Sequence, residues 1–135
     1  MLTLVIVSLP VNAPASDDDR TMVKLPEMMR GHMLSNMRDH LAALNEILRY
    51  LADGKLDKAA GIAEYRLGMS SLNKHGAEHL AKFMPEGMRD IGTSMHKAAS
   101  IFARKAEEGD VLEAYAAVPK ITSACVACHA AYKIN

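Results

Sequence analysis

The chain has 135 residues, and its 16 basic and 16 acidic side chains give a net charge of zero. This balance argues against the strongly basic proteins that bind nucleic acids through a positive stripe, and the length is that of one ordinary domain. Ten methionines, two phenylalanines and no tryptophan predict a core filled mainly by aliphatic and thioether side chains.

The first 15 residues carry no charged side chain, and an apolar run extends from Leu2 to Val11. Ala13 and Ala15 supply the small side chains that a signal peptidase reads, and the run is too short to span a bilayer. We therefore predict a signal peptide over residues 1–15, without the usual basic start, which suggests a true start codon further upstream. The mature chain is then residues 16–135, a single domain with no membrane span.

Helical periodicity is the main secondary-structure signal in the mature chain, and no strand-like alternation occurs there. Four segments have apolar residues three or four positions apart, and a shorter helix is expected in the long second connection, where Pro85 ends it. The predicted helices are Leu25–Asp53, Leu56–Leu67, the short Lys74–Phe83, Met88–Glu108 and a last one beginning at Asp110. The predicted packing seam of the first helix is Leu34, Met37, Leu41, Leu44, Leu48 and Leu51.

Local signals mark the ends of these helices. Pro26 suits a first helical turn, and Gly54 suits the position after a helix end. Asp110, with Glu113 three residues later, predicts a capping box, whereas Pro119 should kink or interrupt the last helix. Four helices with short connections predict an all-α, antiparallel four-helix bundle in which the first and last helices lie side by side.

The last helix carries Cys125-Val126-Ala127-Cys128-His129, the attachment signature of a c-type haem. Residues three apart on a helix share one face, so both thiols can reach the two vinyl groups of one porphyrin. His129 can then bind the iron as an axial ligand. We predict one covalent haem c held by Cys125 and Cys128, and hence a periplasmic location, because this attachment is completed outside the bacterial cytoplasm.

Other uses of the two cysteines fit the sequence less well. A structural zinc site takes about four ligands, and the only further pair at hand is His75 and His79, four residues apart. The spacing of this pair also leaves a second metal site as an alternative interpretation. A redox dithiol is expected beside a βαβ pattern, and a disulfide across two residues closes too small a loop to stabilise the fold.

A chain of this length with the haem motif in its last helix resembles the cytochrome c′ family, which includes low-spin relatives of the cytochrome c-556 type. The resemblance rests on the motif followed by Lys133, and on Arg30, Leu34 and Met37 in the first helix. It implies that Arg30 and Lys133 lie in the haem surroundings and that His129 is the fifth iron ligand. It also implies that Leu34 covers an open sixth position and that a homodimer forms through the first helix.

The sixth iron position has two interpretations. If Leu34 covers the iron, the site is open to small neutral ligands. Met33 and Met37 lie one residue and one turn away, and a methionine thioether is an established axial ligand. The remaining methionines of this stretch are more simply packing residues than a copper site, and a bis-histidine site through His40 is the least favoured.

Two functions follow from these interpretations. The first is single-electron transfer between periplasmic redox partner proteins. The alternative is the capture or sensing of NO or CO at an open iron, with redox change incidental. We predict no enzyme activity, because no acid–base constellation accompanies the motif.

Overall fold

The computed structural model describes residues 18–135, so the predicted signal peptide lies outside the described part. The described chain is mostly helical, which confirms the all-α class. The helices are α1 (Glu27–Ala52), α2 (Leu56–Ile62), α3 (Ala77–Ala81), α4 (Glu86–Glu107) and α5 (Val111–Ala131). A π-helical turn, Ala63–Leu67, continues α2, and a 3₁₀ turn, Met69–Ser71, follows it. The strands are β1 (Thr21–Val23) and β2 (Tyr132–Ile134).

The local signals place most helix ends correctly. Gly54 and Gly109 follow α1 and α4 with φ of +67° and +85°, a conformation that side-chain-bearing residues rarely adopt. The Asp110 carboxylate accepts hydrogen bonds from the backbone N–H groups of Leu112 and Glu113, so Asp110 caps α5. Pro26 takes the capping position of α1 rather than a place in its first turn.

Of the kink or interruption predicted at Pro119, the interruption does not occur, because α5 runs without a break through this residue. An internal proline removes one helical hydrogen bond and costs about 3 kcal/mol. Ala114, Val118 and Ile121 are buried on both sides of the proline, and their packing holds the helix together across it.

The two strands were not predicted. β1 and β2 pair in parallel, with Thr21 opposite Tyr132 and Val23 opposite Ile134. Each strand has only three residues, too few to display an alternating pattern. The pairing joins the chain just before α1 to the chain just after α5.

The apolar core consists of two clusters. The larger one joins α1, α2, α4 and α5 around fully buried Phe102 and Ile47. The smaller one is rich in methionine and lies beside the strands. α4 packs along α5, and α2 contacts both α1 and α4, whereas α1 and α5 contact each other only weakly. The expected side-by-side placement of the first and last helices is therefore met only in part.

The packing seam predicted for the first helix was wrong at two positions. Leu41 and Leu48 are 71% and 40% exposed, while Ala43 and Ile47 are completely buried. Small side chains let neighbouring helices approach closely, and Ala43 lies in the same cluster as the alanines of α2. A pattern read from the large apolar residues alone therefore included two exposed leucines and missed Ala43 and Ile47.

Among the described residues, α5 alone is long and apolar enough to cross a membrane by length and composition, a test that core helices of soluble proteins also pass. In its most apolar stretch only 17% of residues are buried. Leu112 and Val126 are 79% and 67% exposed. α5 therefore presents apolar surface at its start and, through Val126, between the two cysteines.

Candidate haem-attachment site

The CXXCH motif occupies the last turns of α5. Cys125 and His129 are exposed and Cys128 is half-buried. The two cysteines are not joined in a disulfide. The Cys125 thiol donates a hydrogen bond of 3.4 Å to the backbone carbonyl of Ile121, one turn earlier. Both thiols and the imidazole thus lie at the surface of a regular helix, within reach of a group docking there.

Burial raises the pKa of both thiols above the ordinary cysteine value, and the neighbouring Cys125 raises that of Cys128 further. The two groups are therefore neutral thiols at pH 7. This arrangement does not favour a low-pKa redox dithiol, which needs a stabilised thiolate.

Cys128 packs against the methionine-rich cluster of the core. The cluster collects residues from β1, α1, α3 and the start of α4, so four parts of the chain meet at the motif. Its buried members are Val23, Leu25, Met33, Leu80 and Met88, and its partly buried members are Met29, Met37, Met84, Cys128, Tyr132 and Ile134.

This cluster is closely packed, since Met33 and Met88 are each 6% exposed. A porphyrin bound to Cys128 would therefore need the surrounding side chains to move aside. Methionine is unbranched and has three rotatable side-chain bonds, so it can repack around a flat ring at little cost. The residues present therefore fit a haem, provided that the methionine side chains around Cys128 repack.

The three candidates for the sixth ligand differ in their surroundings. Met33 is buried within the methionine-rich cluster, and half-buried Met37 packs against it. Leu34 is half-buried and, within residues 18–135, belongs to neither cluster. The two methionines, and not Leu34, thus share an apolar environment with Cys128.

Arg30 and Lys133 both contact the termini of the described chain. The exposed Arg30 donates from Nε to the backbone carbonyl of Asn135. Lys133 Nζ lies 3.3 Å from the Asp18 carboxylate and donates to the Asp18 carbonyl at 2.8 Å. Arg20, and to a smaller extent Lys133, lower the pKa of Asp18 well below its usual value. Both residues that the resemblance places in the haem surroundings therefore already have protein acceptors.

Arg20 provides a further contact with the haem motif that the sequence did not suggest. Its guanidinium forms an ion pair of 2.8 Å with Asp18 and lies 3.4 Å from the His129 carbonyl. The segment before β1 thus lies against the end of α5.

His75 and His79 do not form the pair that their spacing suggested. His75 is buried, whereas His79 is exposed on α3. His75 instead lies beside His40 of α1 and His96 of α4. His96 was not singled out from the sequence, because only the fold brings these three distant positions together.

Two surface cavities lie away from the motif. One, of about 410 Å³, is lined by Glu64, Met69, Ser100, Ala103, Arg104 and Glu107. The other, of about 270 Å³, is lined by Leu72, Asn73, Gly76, Ala77, Glu78 and His79. Neither contains a residue of the methionine-rich cluster.

Comparisons of this chain with protein-family models, with curated proteins and with solved structures found no match.

Proposed function

We propose that this chain is an exported c-type cytochrome, an antiparallel four-helix bundle with one covalent haem, that carries single electrons between periplasmic redox proteins. The haem is attached through Cys125 and Cys128, and His129 is its fifth ligand. Each thioether forms when a thiol adds across a vinyl group, so no oxidant is consumed. The bound iron supplies the one-electron redox couple.

The observation that carries the proposal is the complete CXXCH motif on an exposed, apolar helix end. Two cysteines one turn apart, with a histidine directly after them, match the needs of covalent attachment and axial ligation. Val126 is 67% exposed, and Cys128 packs against a cluster of adaptable methionines. A porphyrin on this face would cover apolar surface that is otherwise in contact with water.

The surroundings of Met33 and Met37 favour electron transfer over gas binding. Both share a cluster with Cys128, whereas Leu34 does not. A thioether ligand closes the sixth position and raises the haem potential, which suits a carrier. Capture of NO or CO remains the alternative function, and it requires Leu34 over an open iron.

Covalent haem is tested by expressing the chain with an export signal alongside a c-type haem maturation system. We expect the haem to stay with the polypeptide on a denaturing gel, at one haem per chain. The double variant Cys125→Ser/Cys128→Ser should lose it entirely, and His129→Ala should yield little mature protein. A wild-type chain that is folded but free of covalent haem would refute the proposal.

The sixth ligand is tested by the absorption spectrum of the haem-loaded protein. We expect a low-spin ferric spectrum with the weak methionine–iron charge-transfer band and little CO uptake by the ferrous form. Met33→Ala or Met37→Ala, whichever removes the ligand, should give a high-spin spectrum and rapid CO binding. Met28→Ala is the matched control, because Met28 is 77% exposed on the same helix. A high-spin wild type that binds CO at once would favour the gas-binding alternative.

A homodimer through α1 is part of the proposal. Leu41 and Leu48, seven residues apart, are exposed on one side of this helix and offer apolar surface for a second copy. Equilibrium sedimentation of the haem-loaded protein tests this, and a monomer at all concentrations contradicts it.

A further inference from the structure

The inner face of α1 is interrupted by a polar layer that separates the two apolar clusters. Met33 belongs to the methionine-rich cluster and Ala43 to the larger one. Between them lie buried Asn36 and half-buried His40. The Asn36 amide donates at 2.8 Å to the backbone carbonyl of His75. The layer therefore fixes the backbone of the segment that presents His75 to His40.

His40, His75 and His96 form a compact group at this layer. The ring centres of His40 and His75 are 4.6 Å apart, and that of His96 lies 5.8 Å and 5.9 Å from them. His40 Nε2 and His75 Nδ1 are 3.3 Å apart. Two nitrogens bound to one tetrahedral zinc ion lie roughly 3.4 Å apart. This pair already has the separation of two ligands of one ion.

The hydrogen bond of His96 to the backbone fixes which of its ring nitrogens carries the lone pair. His96 Nδ1 lies 2.6 Å from the backbone carbonyl of Leu67, so Nδ1 carries the proton and donates it. The lone pair then resides on Nε2. Proteins usually orient a metal-binding histidine through a hydrogen bond from its other ring nitrogen, and a backbone carbonyl is a common acceptor of that bond.

His75 has a polar atom without a partner. It is 4% exposed, and its Nε2 makes no hydrogen bond within residues 18–135. This nitrogen lies 3.7 Å from the Asp39 carboxylate, which Arg66 holds in place with a 2.6 Å ion pair. A proton on Nε2 would face that carboxylate and leave the Nδ1 lone pair facing both His40 and the Ser71 hydroxyl, each 3.3 Å away. In many metal sites a carboxylate likewise accepts a hydrogen bond from one ring nitrogen of a histidine while the other ring nitrogen binds the metal.

We propose that His40, His75 and His96 form a binding site for one divalent transition-metal ion, for which Zn²⁺ is the probe. Imidazole nitrogens are ligands that such ions prefer. Within the described chain no three His, Cys, Asp or Glu side chains are already assembled around one point. Binding therefore requires the His96 ring to move toward the other two. The ion would link α1, α4 and the segment between α2 and α3, independently of the haem.

The test is calorimetric titration of Zn²⁺ into the EDTA-dialysed full chain as isolated, at pH 7.5. We expect one Zn²⁺ per chain, and at least 10-fold weaker binding by His40→Gln and by His96→Gln. His79→Gln is the matched control and should bind like the wild type, because His79 is exposed and outside the group. Far-UV circular dichroism establishes that each variant is folded.

X-ray absorption at the zinc edge of the wild type provides a readout that does not depend on variants. We expect three imidazole nitrogens at about 2.0–2.1 Å. The proposal is overturned if the wild type binds no Zn²⁺, or if zinc has fewer than three imidazole ligands. Loss of binding in His79→Gln, with His40→Gln unaffected, would place the ion at the His75/His79 pair and also overturn it.

Discussion

Replacing Phe102 by alanine is expected to lower the free energy of unfolding by about 3–5 kcal/mol. Phe102 is completely buried on α4, at the centre of the larger cluster that joins α1, α2, α4 and α5. Truncating it removes the transfer free energy of the ring and leaves a cavity. Many neighbours are alanines, whose short side chains cannot extend into that space. The loss should therefore lie toward the upper end of this range.

Urea unfolding of the wild type and the Phe102→Ala variant measures this effect. The chain supplies its own control, because its other phenylalanine, Phe83, is 41% exposed. Phe83→Ala should cost less than about 1 kcal/mol. Equal losses in the two variants would contradict the position of Phe102 at the centre of the core.

Acidification from pH 7.5 to 4.5 is expected to destabilise the protein steeply because of His40. Burial, and then the nearby His75 and His96, lower the pKa of His40 from 6.5 to about 4. Between about pH 4 and pH 6.5 the folded state therefore binds fewer protons than the unfolded state. The contribution of neutral His40 is complete above pH 6.5 and is lost as the pH falls toward 4. The difference in pKa corresponds to a loss on the order of 3 kcal/mol.

The measurement is a series of urea-unfolding curves across this pH range, with EDTA present to keep the histidines free of metal. Burial also lowers the pKa values of His75 and His96, which steepens the wild-type dependence in the same direction. His40→Gln should reduce the slope by roughly 1.4 kcal/mol per pH unit. An unchanged slope in His40→Gln would contradict the prediction.

The helices could be predicted because their signals are local. Gly54 and Asp110 mark helix ends through their own backbone or side-chain geometry, which needs no distant partner. The pairing of β1 with β2 could not be predicted, because three-residue strands carry no period and their partners are far apart along the chain. Two positions of the predicted α1 seam, Leu41 and Leu48, were misjudged because Ala43 is buried together with the alanines of α2, a tertiary effect that a hydrophobic pattern does not contain.

The candidate site likewise has residues that could be recognised from the sequence and residues whose role depends on the fold. Cys125, Cys128 and His129 are recognisable because their chemistry lies in five consecutive residues. The choice among Met33, Leu34 and Met37 depends on the rotation of α1, and neighbouring helical residues differ by about 100° in direction. The histidine group depends on three separate segments meeting, so its members appear in the sequence only as scattered residues.

The short strand pair also determines the order in which the protein can assemble. Leu25 and Asn135, which are 110 residues apart along the chain, exchange hydrogen bonds next to this pair. Closing so long a loop carries a large entropic cost, whereas neighbouring helices such as α4 and α5 meet across a short turn. The helices should therefore pack before the strands join. Until that late closure, the proposed attachment motif stands on a formed helix without the contact between Arg20 and the His129 carbonyl.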